Sequence, residues 1–329
     1  TWQSLGQDGS GWGAYGQHFN ANGTKIGGEF QINTTTASDQ YQPSVIGLAD
    51  GSFVATWQSY GQDGSGWGAY GQHFNANGSK IGGEFLINTN IVSDQYMPTV
   101  TGMADGSFVA SWMSAGQDGS QWGVYGQHFY ADGTKAGGEF QISDASLNSQ
   151  MYPSVIGLAN GNLAVGYADT SSNTMNIMIK VLDSADMLNR DSTIANSTMS
   201  GMHDQASLTA LADGSFVATW MSYVSYSPGQ DANGWGVYGQ HFNADGTKIG
   251  GEFLINTTTA GDQYQPSVTG LADGSFVATW QSYGQDGNGF GVYGQHFDAN
   301  GSKIGGEFLI NTTTASDQYQ PSVTGLADG

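Results

Sequence analysis

The chain has no cysteine, only seven lysines and arginines, and six prolines among 329 residues. Without cysteine there is no disulfide framework and no thiol nucleophile, so something else must hold the fold together. Seven cations against 28 aspartates and glutamates leave a formal charge of −21. Phosphate backbones and anionic lipid surfaces bind through clustered cations, so neither nucleic acid nor an anionic membrane is an expected partner. No apolar run approaches 18 residues, so membrane insertion is not expected either. The one arginine is Arg190, and an arginine cluster of the kind sialidase-type propellers use for a carboxylate cannot be assembled. Cations such as calcium, or neutral sugars, remain compatible with this surface.

Glycine is abundant, at 52 residues, and the chain is 38% hydrophobic and 12% aromatic. That is too apolar for a disordered acidic chain. Glycine without a Gly-X-Y period points to many tight turns. Aligning on the aromatic residue that follows a short β-branched run gives Trp2, Trp57, Trp112, Tyr167, Trp220 and Trp280. These define a repeat of about 55 residues, too small for an independent core.

One unit reads from Gln42 to Tyr96. Asp50-Gly51 supplies the positive φ angles of a tight hairpin between Pro43–Ala49 and Ser52–Trp57. A glycine-rich loop, Gly61–Gly66, leads into Trp67–Phe74. Asn77-Gly78 turns the chain again before Glu84–Asn88. No segment has the helical period, so each unit reads as four short antiparallel strands, the pattern of a propeller blade. The expected fold is an all-β, six-bladed β-propeller over 1–329, with a chain of separate modules as the alternative. Asp328-Gly329 repeats Asp273-Gly274 and would run on into Thr1-Trp2. The terminal segments are therefore expected to share one blade and close the ring, within a longer parent protein. The copy at about 152–205 departs most, lacking the Gln-Asp-Gly loop, the Gln-His-Phe triplet and the Gly-Gly-Glu-Phe element.

Two aspartate series recur. Asp8, Asp63, Asp118, Asp231 and Asp286 occupy the glycine-rich loop; Asp39, Asp94, Asp262 and Asp317 precede the first strand, with Asp204 in a shorter version. A carboxylate in such a loop either turns the chain or ligates a hard cation, so calcium is a candidate cofactor. Both loops emerge on one face of a propeller, which would place Trp12, Trp67, Trp122 and Trp235 (Phe290 in the last copy) with Tyr41, Tyr96, Tyr264 and Tyr319 on one rim. Rings, carboxylates and amides together suit a neutral sugar, by stacking and hydrogen bonding; the alternative is packing between blades. The Trp57 series, mid-strand, reads as core. His18, His73, His128, His241 and His296 read as structural hydrogen bonders. The glutamates of Gly-Gly-Glu-Phe, at a strand start, read as edge or turn residues. The sequence shows no catalytic set peculiar to one copy, and no enzyme is expected from it.

The run Pro266–Trp280, followed by Gln285–Gly301, resembles a tandem repeat of very large bacterial surface or secreted proteins, which often also carry hemolysin-type calcium-binding repeats of the RTX class. The resemblance implies an extracellular or cell-surface setting with calcium nearby in the parent chain. The function expected is a non-catalytic adhesion or glycan-binding module with a glycan or cell-surface ligand. Self-association as a surface-layer or filament unit is the second reading, and a polysaccharide-acting enzyme the third.

Overall fold

The computed structural model describes residues 1–119, 121–144, 148–171, 174–184, 187, 191–223 and 234–326, and all regular structure among them is β. Strands β1 (Trp2–Leu5), β2 (Trp12–Phe19) and β3 (Lys25–Gln31) form a three-stranded sheet. Four-stranded antiparallel sheets follow from β4 (Gln40–Gly47), β5 (Phe53–Tyr60), β6 (Trp67–Phe74) and β7 (Lys80–Leu86), then from β8 (Gln95–Gly102), β9 (Phe108–Ala115), β10 (Trp122–Phe129) and β11 (Phe140–Gln141). An eight-stranded sheet holds β12 (Gln150–Gly157), β13 (Leu163–Ser171), β14 (Thr174–Leu182), β15 (Thr193–Ile194), β16 (Met202–Ala210), β17 (Phe216–Tyr223), β18 (Trp235–Phe242) and β19 (Lys248–Leu254). The last sheet is β20 (Gln263–Gly270), β21 (Phe276–Tyr283), β22 (Phe290–Phe297) and β23 (Lys303–Leu309). The chain divides into two compact units, 1–157 and 158–329.

The hairpins form where the sequence places them. Gly51 has φ +84°, Leu48 N–H donates to Ser52 O at 2.7 Å, and Asp50 Oδ1 caps Ser52 N–H at 2.9 Å. β5 then pairs β6 in a register that sets Phe53 opposite Phe74, Trp57 opposite Tyr70 and Tyr60 opposite Trp67. The inward set is dry: Trp57 and Phe74 are fully buried, as are Trp112, Trp220 and Trp280. Each such ring contributes about 2–3 kcal/mol by leaving water.

No sheet buries this face alone. In the first unit Phe30 of β3 lies 5.8 Å from Phe74 of the next sheet, over the stacked pair Phe53–Phe74 at 4.8 Å. Phe85 repeats the contact on Phe129 at 5.4 Å, and in the second unit Phe253 does so on Phe297 at 5.9 Å. Gly16 exists to admit this ring, since a Cβ there would stand 2.8 Å from Phe30.

A polar clamp accompanies the rings. The Glu84 carboxylate accepts from the backbone N–H groups of Thr34 and Thr35 and from Thr35 Oγ1–H at 2.8 Å, while Lys80 Nζ donates to Asn33 O and Thr34 Oγ1. Glu139 and Lys135 hold Thr89 in the same way, and Glu307 and Lys303 hold Thr257 and Thr258. The repeated glutamate is thus more than an edge residue: Glu84, Glu139 and Glu307 each fasten their own strand to the loop of the copy before it.

The expectation of six four-stranded blades closed by shared terminal strands is corrected. Four sheets carry four or more strands, and a fifth, β1–β3, has three. The divergent copy has only a two-residue β15, and β14 meets β16 directly through a parallel bridge, Met175 to Met202, so two groups of strands merge into one sheet. Residues 311–326 lie in no strand, and among the described residues β1 pairs with β2 alone.

Replacing Glu84 by alanine removes charge-assisted bonds to two backbone amides and a hydroxyl. Urea unfolding should show a loss of about 2 kcal/mol, whereas Glu29→Ala, which among the described residues gives up only a bond from the exposed Gln7 amide at 3.3 Å, should shift the midpoint little.

Candidate functional site

The two loop series meet. Asp39 Oδ1 accepts Trp12 N–H at 3.0 Å, Asp94 does the same for Trp67 at 2.9 Å, Asp262 for Trp235 at 3.0 Å and Asp317 for Phe290 at 2.9 Å. The residue before each aromatic must be glycine: a Cβ on Gly11, Gly66, Gly234 or Gly289 would fall 2.0–2.2 Å from that carboxylate. The third copy has Gln121 instead, and there the aspartate gives way to Ser149, whose hydroxyl donates to Gln121 Oε1 at 3.1 Å.

This bond sets each ring beside its neighbour. In the first unit Trp12, Tyr41, Trp67, Tyr96 and Trp122 follow one another with centroids 5.4–5.8 Å apart. In the second unit Trp235, Tyr264, Phe290 and Tyr319 follow one another at 5.3–5.9 Å, with Tyr223 against Trp235 at 5.6 Å in the place Tyr60 has beside Trp67. The members are tilted against each other and half-buried, so each packs on one side and shows water the other. Tyr60 leans on Trp67 at 5.2 Å and is 50% exposed; Tyr283 leans on Phe290 at 5.1 Å and is 55% exposed. Tyr60 and Tyr283 were missed in the sequence because they end a strand otherwise read as core.

The first aspartate series turns the chain. Asp8, Asp63 and Asp286 each accept the backbone N–H two residues on, at 3.0–3.1 Å. Asp118 receives the Gln141 amide at 3.3 Å, and Asp231 lies outside the described residues. Calcium takes six to eight oxygens. Here one oxygen of Asp8, Asp63 and Asp286 caps backbone, and no group of three or more acidic or histidine side chains converges among the described residues. Among the described residues these carboxylates do not assemble a calcium shell.

The second oxygen of this series separates the copies. Gln31 donates to Asp8 Oδ2 at 3.4 Å, but Leu86 and Leu309 hold the same position against Tyr70 and Tyr293, and Asp63 Oδ2 and Asp286 Oδ2 are buried without a donor. Burial, with the Asp63 and Glu84 charges behind it, pushes the Tyr70 hydroxyl up to about 12.

The histidines close a relay that sequence reading did not assemble. His73 Nε2 lies 2.8 Å from Ser52 Oγ, whose proton goes to Asp50 Oδ1 at 2.5 Å. His128–Ser107–Asp105, His241–Ser215–Asp213 and His296–Ser275–Asp273 repeat it. The serine stands between histidine and aspartate and gives its proton to the carboxylate, so it is no nucleophile. The Asp-Gly-Ser turn was its sequence signal.

The divergent copy breaks the rim. Met202 opposes Tyr223 and Asp204 opposes Met221, just as Tyr41 opposes Gln58. Asp204 therefore takes the tyrosine position, not the Asp39 position expected for it, because its loop is shorter. Burial pushes its carboxyl up to about 6, against a backbone N–H from Gln205 at 2.7 Å. The neighbouring His203 is buried, which drives its imidazole down to about 4.

No protein-family model and no curated protein matches the chain. Solved structures do. A protein of unknown function from Dyadobacter fermentans aligns with TM-score 0.60 at 11% identity over 83% of each chain. An alpha-L-arabinanase from Penicillium chrysogenum in complex with arabinobiose aligns at 0.59 and 13% identity, over 86% of this chain and 84% of that one. The alpha-L-arabinofuranosidase of Fusarium graminearum with arabinobiose aligns at 0.53 and 12%, over 86% and 83%. The fold is an all-β propeller. The exclusion of an enzyme drawn from the sequence is thereby overturned: glycosidases share this fold, so the lack of a catalytic set within the repeat excludes nothing.

Leu86→Gln should give Asp63 Oδ2 the donor that Asp8 has, raising stability by about 1 kcal/mol in urea. Burial lowers the pKa of His73, His128 and His241, so the unfolded chain takes up these protons first. Serine bonds lower Asp50, Asp105, Asp213 and Asp273, which acts in the same direction at lower pH. The raised Asp204 opposes them. Urea midpoints should hold above about pH 6.5 and fall progressively below it.

Proposed function

We propose that this chain engages neutral polysaccharide along its aromatic rim, in an extracellular or cell-surface setting. The observation that carries this reading is the row of half-buried rings from Trp12 to Trp122, with a second row from Trp235 to Tyr319. Carboxylates that cap the same loops lie alongside, and Tyr264 and Tyr319 donate their hydroxyls to Asp262 and Asp317 at 2.9 and 2.8 Å. A sugar ring stacks on an exposed aromatic face while its hydroxyls meet these oxygens. A row of equivalent subsites fits a polymer, because weak contacts at successive rings add through avidity. The acidic surface favours a neutral polymer over an anionic one.

Polysaccharide hydrolysis is the second reading, favoured by Asp204. It is the carboxyl that replaces a rim aromatic, and with a pKa of about 6 it retains a proton well above the usual carboxylate range. Such a group can protonate a glycosidic oxygen.

A glycan array that includes arabinan tests both. Binding should weaken about tenfold for each of Trp67→Ala and Tyr96→Ala, with Trp57 left intact as a core control. Release of reducing ends that is abolished by Asp204→Asn would establish the enzyme. An array with no bound polysaccharide would overturn the rim reading.

A further inference from the structure

The His–Ser–Asp relays sit at the strand ends remote from the rim, and one of them stands in the wall of a cavity. β17 runs from Phe216, beside the Asp213–Ser215 turn, to Tyr223, which faces Trp235, and His241 of β18 faces Val217. The relay of Asp213, Ser215 and His241 therefore lies at the far end of these strands from the aromatic row. A cavity of about 480 Å³ lies there within the second unit, walled by Asp213, His241, Asn300, Ile249 and Phe253 among others. Its size is that of a small-molecule pocket.

The polarity of the relay decides what the cavity offers. Ser215 Oγ gives its proton to Asp213 Oδ1 and lies 2.6 Å from His241 Nε2. With its own proton committed, the serine oxygen accepts, so Nε2 carries the imidazole proton and Nδ1 keeps a bare lone pair. His241 is only 7% exposed, and its Nδ1 has no partner among the described residues. The same atom of His73 is sealed inside the protein, whereas His241 stands in the cavity wall.

Asp213 uses Oδ1 for the turn, accepting Ser215 N–H at 2.9 Å, and Oδ2 is left over. The bonds from Ser215 hold this carboxyl below its ordinary range, so it is charged at neutral pH. Asn300 has a carbonyl to turn inward. Ile249 and Phe253 add an apolar wall, and a phenylalanine face attracts cations. A wider cavity of about 680 Å³ shares Asp213 and Ile249 and adds Asp245, so negative potential flanks the site.

We propose that this cavity binds a small organic ammonium ion. Its three N–H groups go to Asp213 Oδ2, His241 Nδ1 and Asn300 Oδ1, and its carbon chain lies on Ile249 and Phe253. Ammonium has three donors and no acceptor, which matches three acceptors. A hard metal ion needs six or more oxygens and finds too few here. The site is separate from the rim and does not depend on it.

Long-range proton–nitrogen NMR spectra of the histidine rings test this. Titration with n-butylammonium should shift His241 Nδ1 saturably and leave His73 unmoved, and n-butanol should shift neither. Asp213→Asn keeps the oxygen that caps the turn and removes only the charge. It should weaken binding at least tenfold by calorimetry with an unchanged circular dichroism spectrum, whereas Asp50→Asn should leave binding unaltered. Nα-acetyl-lysine amide, titrated in parallel, separates the sources: comparable binding assigns a protein lysine, and binding of the alkylamine alone assigns a free amine. Equal shifts with butanol, unchanged affinity in Asp213→Asn, or no saturable shift at His241 would overturn the proposal.

Discussion

The structure depends on the fact that no sheet in this chain can bury its own inner face. A unit of about 55 residues supplies one apolar surface of tryptophan, tyrosine and phenylalanine, and a neighbour must cover it. Phe30 over Phe74 is the apolar half of that cover, and Glu84 with Lys80 on Thr34 and Thr35 is the polar half. With no disulfide and six of its seven cations lysines, the chain places five of these lysines in the clamp position, at Lys25, Lys80, Lys135, Lys248 and Lys303. Three of them, Lys80, Lys135 and Lys303, bond the loop of the preceding copy, so scarce positive charge is spent at the joint.

The joint also sets the rim. The loop gripped by Glu84 runs on to Asp39, which holds Trp12 by its backbone and so fixes Trp12 against Tyr41. Between clamp and aspartate lies a buried amide pair that no sequence motif announced. Asn33 Oδ1 accepts Ala14 N–H at 2.8 Å, and its Nδ2 donates to Gln40 Oε1 at 2.9 Å. Asn88 with Gln95 and Asn256 with Gln263 repeat it. Fully satisfied buried amides of this kind fix one loop conformation, so the aromatic surface is organised from below by polar groups.

Much of this was legible in the residues, for physical reasons. Asp-Gly and Asn-Gly turns, the glycine-rich loops and the buried Trp57 series followed from local conformational rules and period-two alternation. The meeting of Trp12 with Asp39 and Tyr41 followed from both loops leaving one face. What stayed hidden were contacts that only a third dimension creates: Glu84 reaching back about fifty residues to Thr34, the His73–Ser52–Asp50 relay, and the orphaned Asp63 oxygen where leucine replaces glutamine. The number of sheets was misjudged because repeat counting assumes equal copies. β14 meets β16 through Met175 and Met202 instead of forming a separate edge. Asp204 was misplaced for a related reason, since a shortened loop slides the register and puts a carboxyl where other copies have tyrosine.

The proposed working surface is the rim, and its tryptophans report on it separately from those of the core. Indole N–H resonances, followed during titration with arabinobiose and a panel of neutral oligosaccharides, measure this most directly. Shifts confined to Trp12, Trp67, Trp122 and Trp235, with Trp57, Trp112, Trp220 and Trp280 unmoved, are the predicted result. Shifts centred on residues away from both aromatic rows, or an unchanged spectrum at saturating sugar throughout the panel, would contradict it.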